Sequence, residues 1–274
     1  NHIPNPEDKE AMAAIREAVL RSRADLGIIF DTDCDRAAVV DEAGNEINRN
    51  RLIALMSAIV LREYPGATIV TDSVTSSGLK DFISSLGGVH YRYRRGYRHV
   101  IDEAIRLSRE GTFAPLAMET SGHCALSENY YQDDGAYLVT MVLIEMAYLR
   151  SQGKKLSELL AGLKEPVEAE EARLPIHRPD FAAYGQSVLD EVLAECGKNE
   201  AWRLTPDNRE GVRVSFDAEH GDGWFLLRMS LHDPVLALNI ESDREGGAAV
   251  IANQIYPLLR DRKELDLTQL EAIL

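Results

Sequence analysis

The chain has 274 residues, a length that suits two average domains better than one. Apolar residues make up 45% of it and charged residues 27%, which excludes a disordered, collagen-like or low-complexity chain. Thirty Lys and Arg stand against forty-five Asp and Glu, and a net charge of −15 argues against nonspecific nucleic-acid binding and against an anionic membrane surface. Neither nucleic acid nor membrane is therefore an expected partner.

The first predicted element is a helix over 6–22, with Glu7 and Asp8 in its first turn and Ala11, Ile15, Ala18 and Val19 at helical spacing. A buried strand at 26–30, an acidic loop, a second strand at 37–40 and a turn at 41–45 follow. Helices at 52–63, 78–86 and 100–110 then precede strands at 68–71, 89–93 and 115–118. This alternation predicts α/β layering with parallel strands, closed by helices at 134–150 and 155–163. Residues 164–179 change character: Glu165, Glu168, Glu170 and Glu171 cluster with Pro166, Pro175 and Pro179, and a domain boundary is placed there. Beyond it, a helix at 181–196, strands at 211–216, 223–228 and 235–240, and a helix at 248–259 read as an α+β unit with an antiparallel sheet and helices on one face.

Cys34, Cys124 and Cys196 are widely spaced and form no CxxC or Cys/His zinc pattern, which suggests a reducing compartment and a cytoplasmic location. No apolar run reaches transmembrane length. The opening Asn1-His2-Ile3-Pro4 has neither an initiator Met nor the basic-then-apolar pattern of a signal segment, so a start partway through a longer protein is expected.

The acidic loop is Asp31-Thr32-Asp33-Cys34-Asp35-Arg36. Its alternating carboxylates repel one another unless a cation lies among them, and hard oxygen donors suit Mg²⁺ or Ca²⁺. A solvated acidic turn is the plain alternative. Asp31, Asp33, Asp35 and Glu42 match acidic positions of an EF-hand loop, but Arg36 stands where its sharp turn needs Gly, and the flanks read as strands. A dehalogenase-type phosphatase also places Asp-x-Asp after a strand, and Cys34 departs from that pattern.

Phe30 to Arg36, followed by a strand and Asp41-Glu42-x-Gly44, resembles the metal loop of the α-D-phosphohexomutases, with Thr32 where Gly is common. Pro4-Asn5-Pro6 and Ala24-Asp25-Leu26-Gly27 extend the likeness. The resemblance implies that Asp31, Asp33 and Asp35 bind Mg²⁺ and that Arg36 lies beside a phosphoserine. Two later loops agree in order. Glu119-Thr120-Ser121-Gly122-His123 offers an acid and a hydroxyl suited to sugar hydroxyls, and it resembles the family's Gly-Glu-x-Ser-Gly-His loop with Met118 for the leading Gly. That likeness implies sugar contacts for Glu119 and Ser121 and a place near the reacting groups for His123.

Arg228-Met229-Ser230-Leu231-His232-Asp233-Pro234 carries a guanidinium fork suited to phosphate and resembles the family's Arg-x-Ser-x-x-x-Pro loop. It implies phosphate binding by Arg228, Ser230 and His232. Arg92, Arg94, Arg95 and Arg98 alternate with Tyr91, Tyr93 and Tyr97 in the one dense basic patch. On the residues alone this is a solvated basic face or, with its aromatics, a single-strand nucleic-acid surface. Arg95-Gly96-Tyr97 resembles the family loop that closes over the sugar phosphate, which implies substrate contacts for Gly96 and Tyr97.

The resemblance implies a three-layer α/β/α domain at 41–165 and a two-layer α+β C-terminal domain at 166–274, preceded at 1–40 by the tail of another α/β domain. No Thr/Ser-Ala-Ser-His-Asn-Pro-like phosphoserine loop is present. The chain is therefore expected to be the C-terminal part of a phosphomannomutase or phosphoglucomutase, inactive alone. Such enzymes interconvert hexose 1-phosphates and 6-phosphates through a phosphoserine and a bisphosphorylated sugar. A phosphoglucosamine mutase, a phosphatase and a noncatalytic module binding sugar phosphate or metal stay open as alternatives. Residues 1–40 would lack sheet neighbours, and disorder, rearrangement or homodimer contacts are expected there.

Overall fold

The computed structural model describes residues 3–230 and 233–274. Two compact units divide the chain, Asn1–Lys164 and Glu165–Leu274. Among the described residues no helix is long and apolar enough to cross a membrane.

The first unit opens with α1 (Lys9–Ser22), capped by Asp8, whose carboxylate accepts the Ala11 N–H at 2.8 Å. Strands β1 (Leu26–Phe30), β2 (Ala37–Asp41) and β3 (Glu46–Ile47) form an antiparallel sheet in that order. Leu26 pairs with Asp41 and Phe30 with Ala37, so the acidic loop is the connection of a hairpin. The hairpin is apolar on both faces. Ile29, Ala38 and Val40 bury Ala11, Met12 and Val19 of α1, while Phe30, Ala37 and Val39 join the main core of the unit. Residues 3–40 thus fold as a helix and two strands rather than a disordered tail, and the border expected at residue 40 falls inside the fully buried β2.

The rest of the unit runs α2 (Arg49–Glu63), β4 (Thr68–Thr71), α3 (Ser77–Ser85), β5 (Val89–Arg92), α4 (Tyr97–Arg109), β6 (Leu116–Met118), β7 (Cys124–Leu126) and α5 (Gly135–Ser151). Sheet order is β5-β4-β6-β7, with β4 parallel to β5 and β6, and β7 returning antiparallel. Alternation along the strands makes three layers. Ile69, Leu116, Met118 and Leu126 face α2, α3 and α5, whereas Val70, Ala117 and Ala125 face Val100, Ala104 and Leu107 of α4. The helix predicted at 155–163 is instead a tighter 3₁₀ turn, Leu156–Leu160. Because β4, β5 and β6 are parallel, residues 72–76, 93–96 and 119–123 all leave the same edge, where open α/β sheets place ligands.

The second unit contains β8 (Glu168–Pro175), α6 (Phe181–Glu195), β9 (Arg203–Leu204), β10 (Val212–Phe216), β11 (Gly223–Met229), β12 (Val235–Ser242), α7 (Gly247–Leu259) and α8 (Thr268–Glu271). Its antiparallel sheet runs β8-β12-β11-β10-β9. The acidic boundary segment is in fact strand β8, paired with β12 from Glu168 opposite Ser242 to Pro175 opposite Val235. Charge is tolerated on an edge strand, and alternate residues Ala172 and Leu174 still reach the core. Val188 and Val192 of α6, with Ile251 and Ile255 of α7, cover one face of the sheet.

Candidate functional site

The acidic loop is tied to itself through Arg36. Its N–H donates to Asp31 Oδ1 at 3.1 Å, and its Nε donates to Asp31 Oδ2 at 2.6 Å. Burial alone would push the Asp31 carboxyl up, but these bonds outweigh it and leave Asp31 below its ordinary range. Cys34 takes φ +64, which turns the chain tightly between Asp33 and Asp35. One carboxylate oxygen from each of Asp31, Asp33 and Asp35 lies within 4.8 Å of the others. Asp35 Oδ1 is buried, accepts no hydrogen bond, and has Arg36 Nε only at 3.9 Å. Burial and the neighbouring Asp31 push Asp35 up to about 6. A hard divalent cation would satisfy that oxygen and offset the repulsion, so the donor set fits Mg²⁺.

Residues 119–123 meet this hairpin directly. Arg36 and His123 form an antiparallel bridge, and the Ala37 N–H donates to Gly122 O at 3.4 Å. His123 Nδ1 lies 2.7 Å from Asp133 Oδ2 and 3.7 Å from Asp35 Oδ2. Burial lowers the imidazole pKa, but the carboxylates of Asp133, Asp35 and Glu119 outweigh it and raise it. The Tyr97 ring stacks on His123 with centroids 4.8 Å apart.

Glu119 is buried, and its carboxylate accepts the Gly96 N–H at 2.6 Å and the Ser121 hydroxyl at 3.1 Å. Burial, and then the charge of Asp72, push Glu119 up to about 7. Thr120 points the other way and donates its hydroxyl to Asp72 at 2.7 Å. The first unit therefore brings together Asp31, Asp33, Asp35, Arg36, Gly96, Tyr97, Glu119, Ser121 and His123.

Arg92 departs from the reading of a solvated basic face. It is buried and donates to Thr75 O and Oγ1, each at 3.2 Å, and to Ser76 O at 2.7 Å. It holds the loop after β4. Arg95 pairs with Glu7 at 3.8 Å, and Arg94 lies over the Tyr93 ring.

Arg228 is buried at the end of β11, and Ser230 follows in the turn to β12. The Ser230 hydroxyl accepts the Asp233 N–H at 3.4 Å, while the Asp233 carboxylate accepts Arg173 at 2.7 Å. His232 lies outside the described residues. Sequence reasoning missed Asp72 and Asp133. Asp133 stands just before the N-cap Asp134 and reads only as a helix start, and Asp72 reads as an ordinary strand-end acid.

Residues 1–44 match the family model described as phosphoglucomutase/phosphomannomutase, alpha/beta/alpha domain II, and residues 48–166 match that of domain III. A phosphoglucomutase of Neisseria meningitidis is 28% identical over 266 residues, covering 97% of this chain and 54% of that protein. A phosphomannomutase/phosphoglucomutase of Pseudomonas putida is 30% identical over 269 residues, with the same two coverages. A phosphoglucomutase/phosphomannomutase family protein of Burkholderia thailandensis superposes with a TM-score of 0.77 at 27% identity, over 95% of this chain and 52% of that one. The chain thus spans about half the length of the curated relatives it matches. Two consecutive family domains, the relatives and the shared fold agree: the chain belongs to the α-D-phosphohexomutase superfamily.

Proposed function

We propose that this chain is the hexose-phosphate and metal-binding part of a phosphomannomutase or phosphoglucomutase. The observation that carries the reading is the meeting of three loops: the Arg36–His123 bridge joins the acidic loop to the sugar loop, and Glu119 accepts the Gly96 amide of the third. In the proposed reaction a phosphoserine outside these residues gives its phosphoryl group to a hydroxyl of the sugar phosphate, and the hydroxyl proton passes to the freed serine oxygen. The bisphosphorylated hexose turns over, and its other phosphate returns to the serine.

Asp31, Asp33 and Asp35 would hold Mg²⁺, which when bound offsets charge on the transferring phosphoryl group. Arg36, fixed by its two bonds to Asp31, presents positive charge beside that group. Glu119 and Ser121 bind ring hydroxyls in either orientation, and His123 stands by the reacting oxygen. Arg228, Ser230 and His232 grip the phosphate that does not react. Positioning and electrostatics then supply most of the acceleration. Three free cysteines fit a cytoplasmic location, and β1, an edge strand of its sheet, is the surface through which a homodimer would pair.

A coupled assay with glucose 1-phosphate, glucose 1,6-bisphosphate and Mg²⁺ tests the division of labour. The purified chain should give no turnover, since it carries no phosphoserine loop. Sustained turnover would overturn that part of the reading.

A further inference from the structure

The His123 imidazole is held on two sides. Its Nδ1 lies 2.7 Å from Asp133 Oδ2, and its face stacks on Tyr97 with the ring planes 20° apart. Asp133 is itself fixed. Its Oδ1 accepts the Cys124 N–H at 3.2 Å, its backbone bridges to Ala125, and the next residue caps α5 by accepting the Tyr137 N–H at 2.8 Å. A carboxylate only accepts, so the proton of the 2.7 Å bond belongs to Nδ1. The competing acceptor, Asp35 Oδ2, is 3.7 Å away and beyond hydrogen-bond range.

We propose that Asp133 is a positioning residue: it holds neutral His123 in the Nδ1–H tautomer, which leaves Nε2 as the ring's one acceptor for a hydroxyl of the sugar phosphate. This rests on the hexose-phosphate reading and deepens it by naming the nitrogen that meets the substrate and the residue that selects it. Tyr97 fixes the plane of the ring, so tautomer and orientation are set before any ligand arrives.

The test is a long-range proton–nitrogen NMR correlation on the ¹⁵N-labelled chain, with the pH raised until the His123 signals stop shifting, so that the neutral ring is read. Comparison with His123→Gln assigns the signal among the seven histidines. Wild type should carry its proton on Nδ1. Asp133→Ala removes the acceptor and should lower the ratio of Nδ1–H to Nε2–H by about tenfold or more, the worth of one charge-assisted bond. Asp133→Asn keeps an acceptor oxygen without the charge and should fall between the two.

A dominant Nε2–H form in wild type overturns the proposal, as does an unchanged ratio in Asp133→Ala. The wild-type measurement decides even where that variant does not fold. Failure of the hexose-phosphate reading shows differently, as absent sugar-phosphate binding with the Nδ1–H tautomer intact.

Discussion

Glu119 accepts the backbone N–H of Gly96 at 2.6 Å, so the acid that follows β6 is tied to the residue that starts α4. The same carboxylate sits near the charge of Asp72 and out of water, which is why its pKa rises to about 7. Its ordinary value is near 4.5. Between those limits the folded state holds a proton that the unfolded chain has lost, so stability falls as pH rises from about 4.5 to about 7. The loss is on the order of 3 kcal/mol.

Glu119→Gln removes this titration while keeping an acceptor for Gly96. Urea unfolding should show the variant more stable than wild type at pH 8, with the gap closing toward pH 5. A gap of equal size at both pH values would contradict the assignment.

Asp35 Oδ1 is a buried oxygen that accepts no hydrogen bond, and burial pushes its carboxyl up to about 6. Mn²⁺ binding by the chain, followed by calorimetry, should weaken as pH falls through about 6, because the proton competes for that oxygen. Asp35→Asn should weaken it roughly tenfold to a hundredfold at pH 8. Unchanged Mn²⁺ affinity in this variant would remove the acidic loop as a metal site.

Gly122 has φ +101, and a Cβ there would lie 2.9 Å from the carbonyl oxygen of Ala37. Gly122→Ala therefore strains the junction between the 119–123 loop and the hairpin. Its expected cost is roughly 1–3 kcal/mol in unfolding free energy. A change within about 0.5 kcal/mol, ordinary for a surface site, would show that the junction is not needed.

Glu168 accepts the N–H groups of Gly246 at 2.6 Å and Ala248 at 2.8 Å, and these bonds hold its carboxyl below the ordinary range. A carboxyl with a lowered folded pKa stabilises above its unfolded pKa, and that contribution fades as pH falls through the folded value. Glu168→Gln should lower the melting temperature at pH 7 and have a smaller effect near pH 3. Equal effects at both would mean that the charge plays no part in holding the start of α7.

Much of the site is legible in the sequence because its chemistry is local. Asp31 to Arg36 and Glu119 to His123 each place their acids and hydroxyls within a few residues at the end of a short apolar strand. Arg92 was not legible as a buried residue, since its partners Thr75 and Ser76 come from another loop. Asp133 and Asp72 act on His123 and Thr120 through pairings that only the fold creates. Strand β8 hid for a different reason: three glutamates, Glu168, Glu170 and Glu171, precede its two core residues, Ala172 and Leu174, and mask the alternation. The strands of the hairpin over 26–41 are legible in the sequence, whereas its second apolar face, which packs residues 3–40 onto the unit, is not.

The proposed site in the first unit takes both a divalent metal and a hexose phosphate. Calorimetric titration of the Mg²⁺-loaded chain with glucose 1-phosphate tests it most directly when wild type is set beside Asp33→Asn and Glu119→Ala. Wild type is expected to bind, Asp33→Asn to lose metal affinity, and Glu119→Ala to keep its metal while losing the sugar phosphate. Absence of sugar-phosphate binding by wild type, or equal binding by wild type and Glu119→Ala, would contradict it.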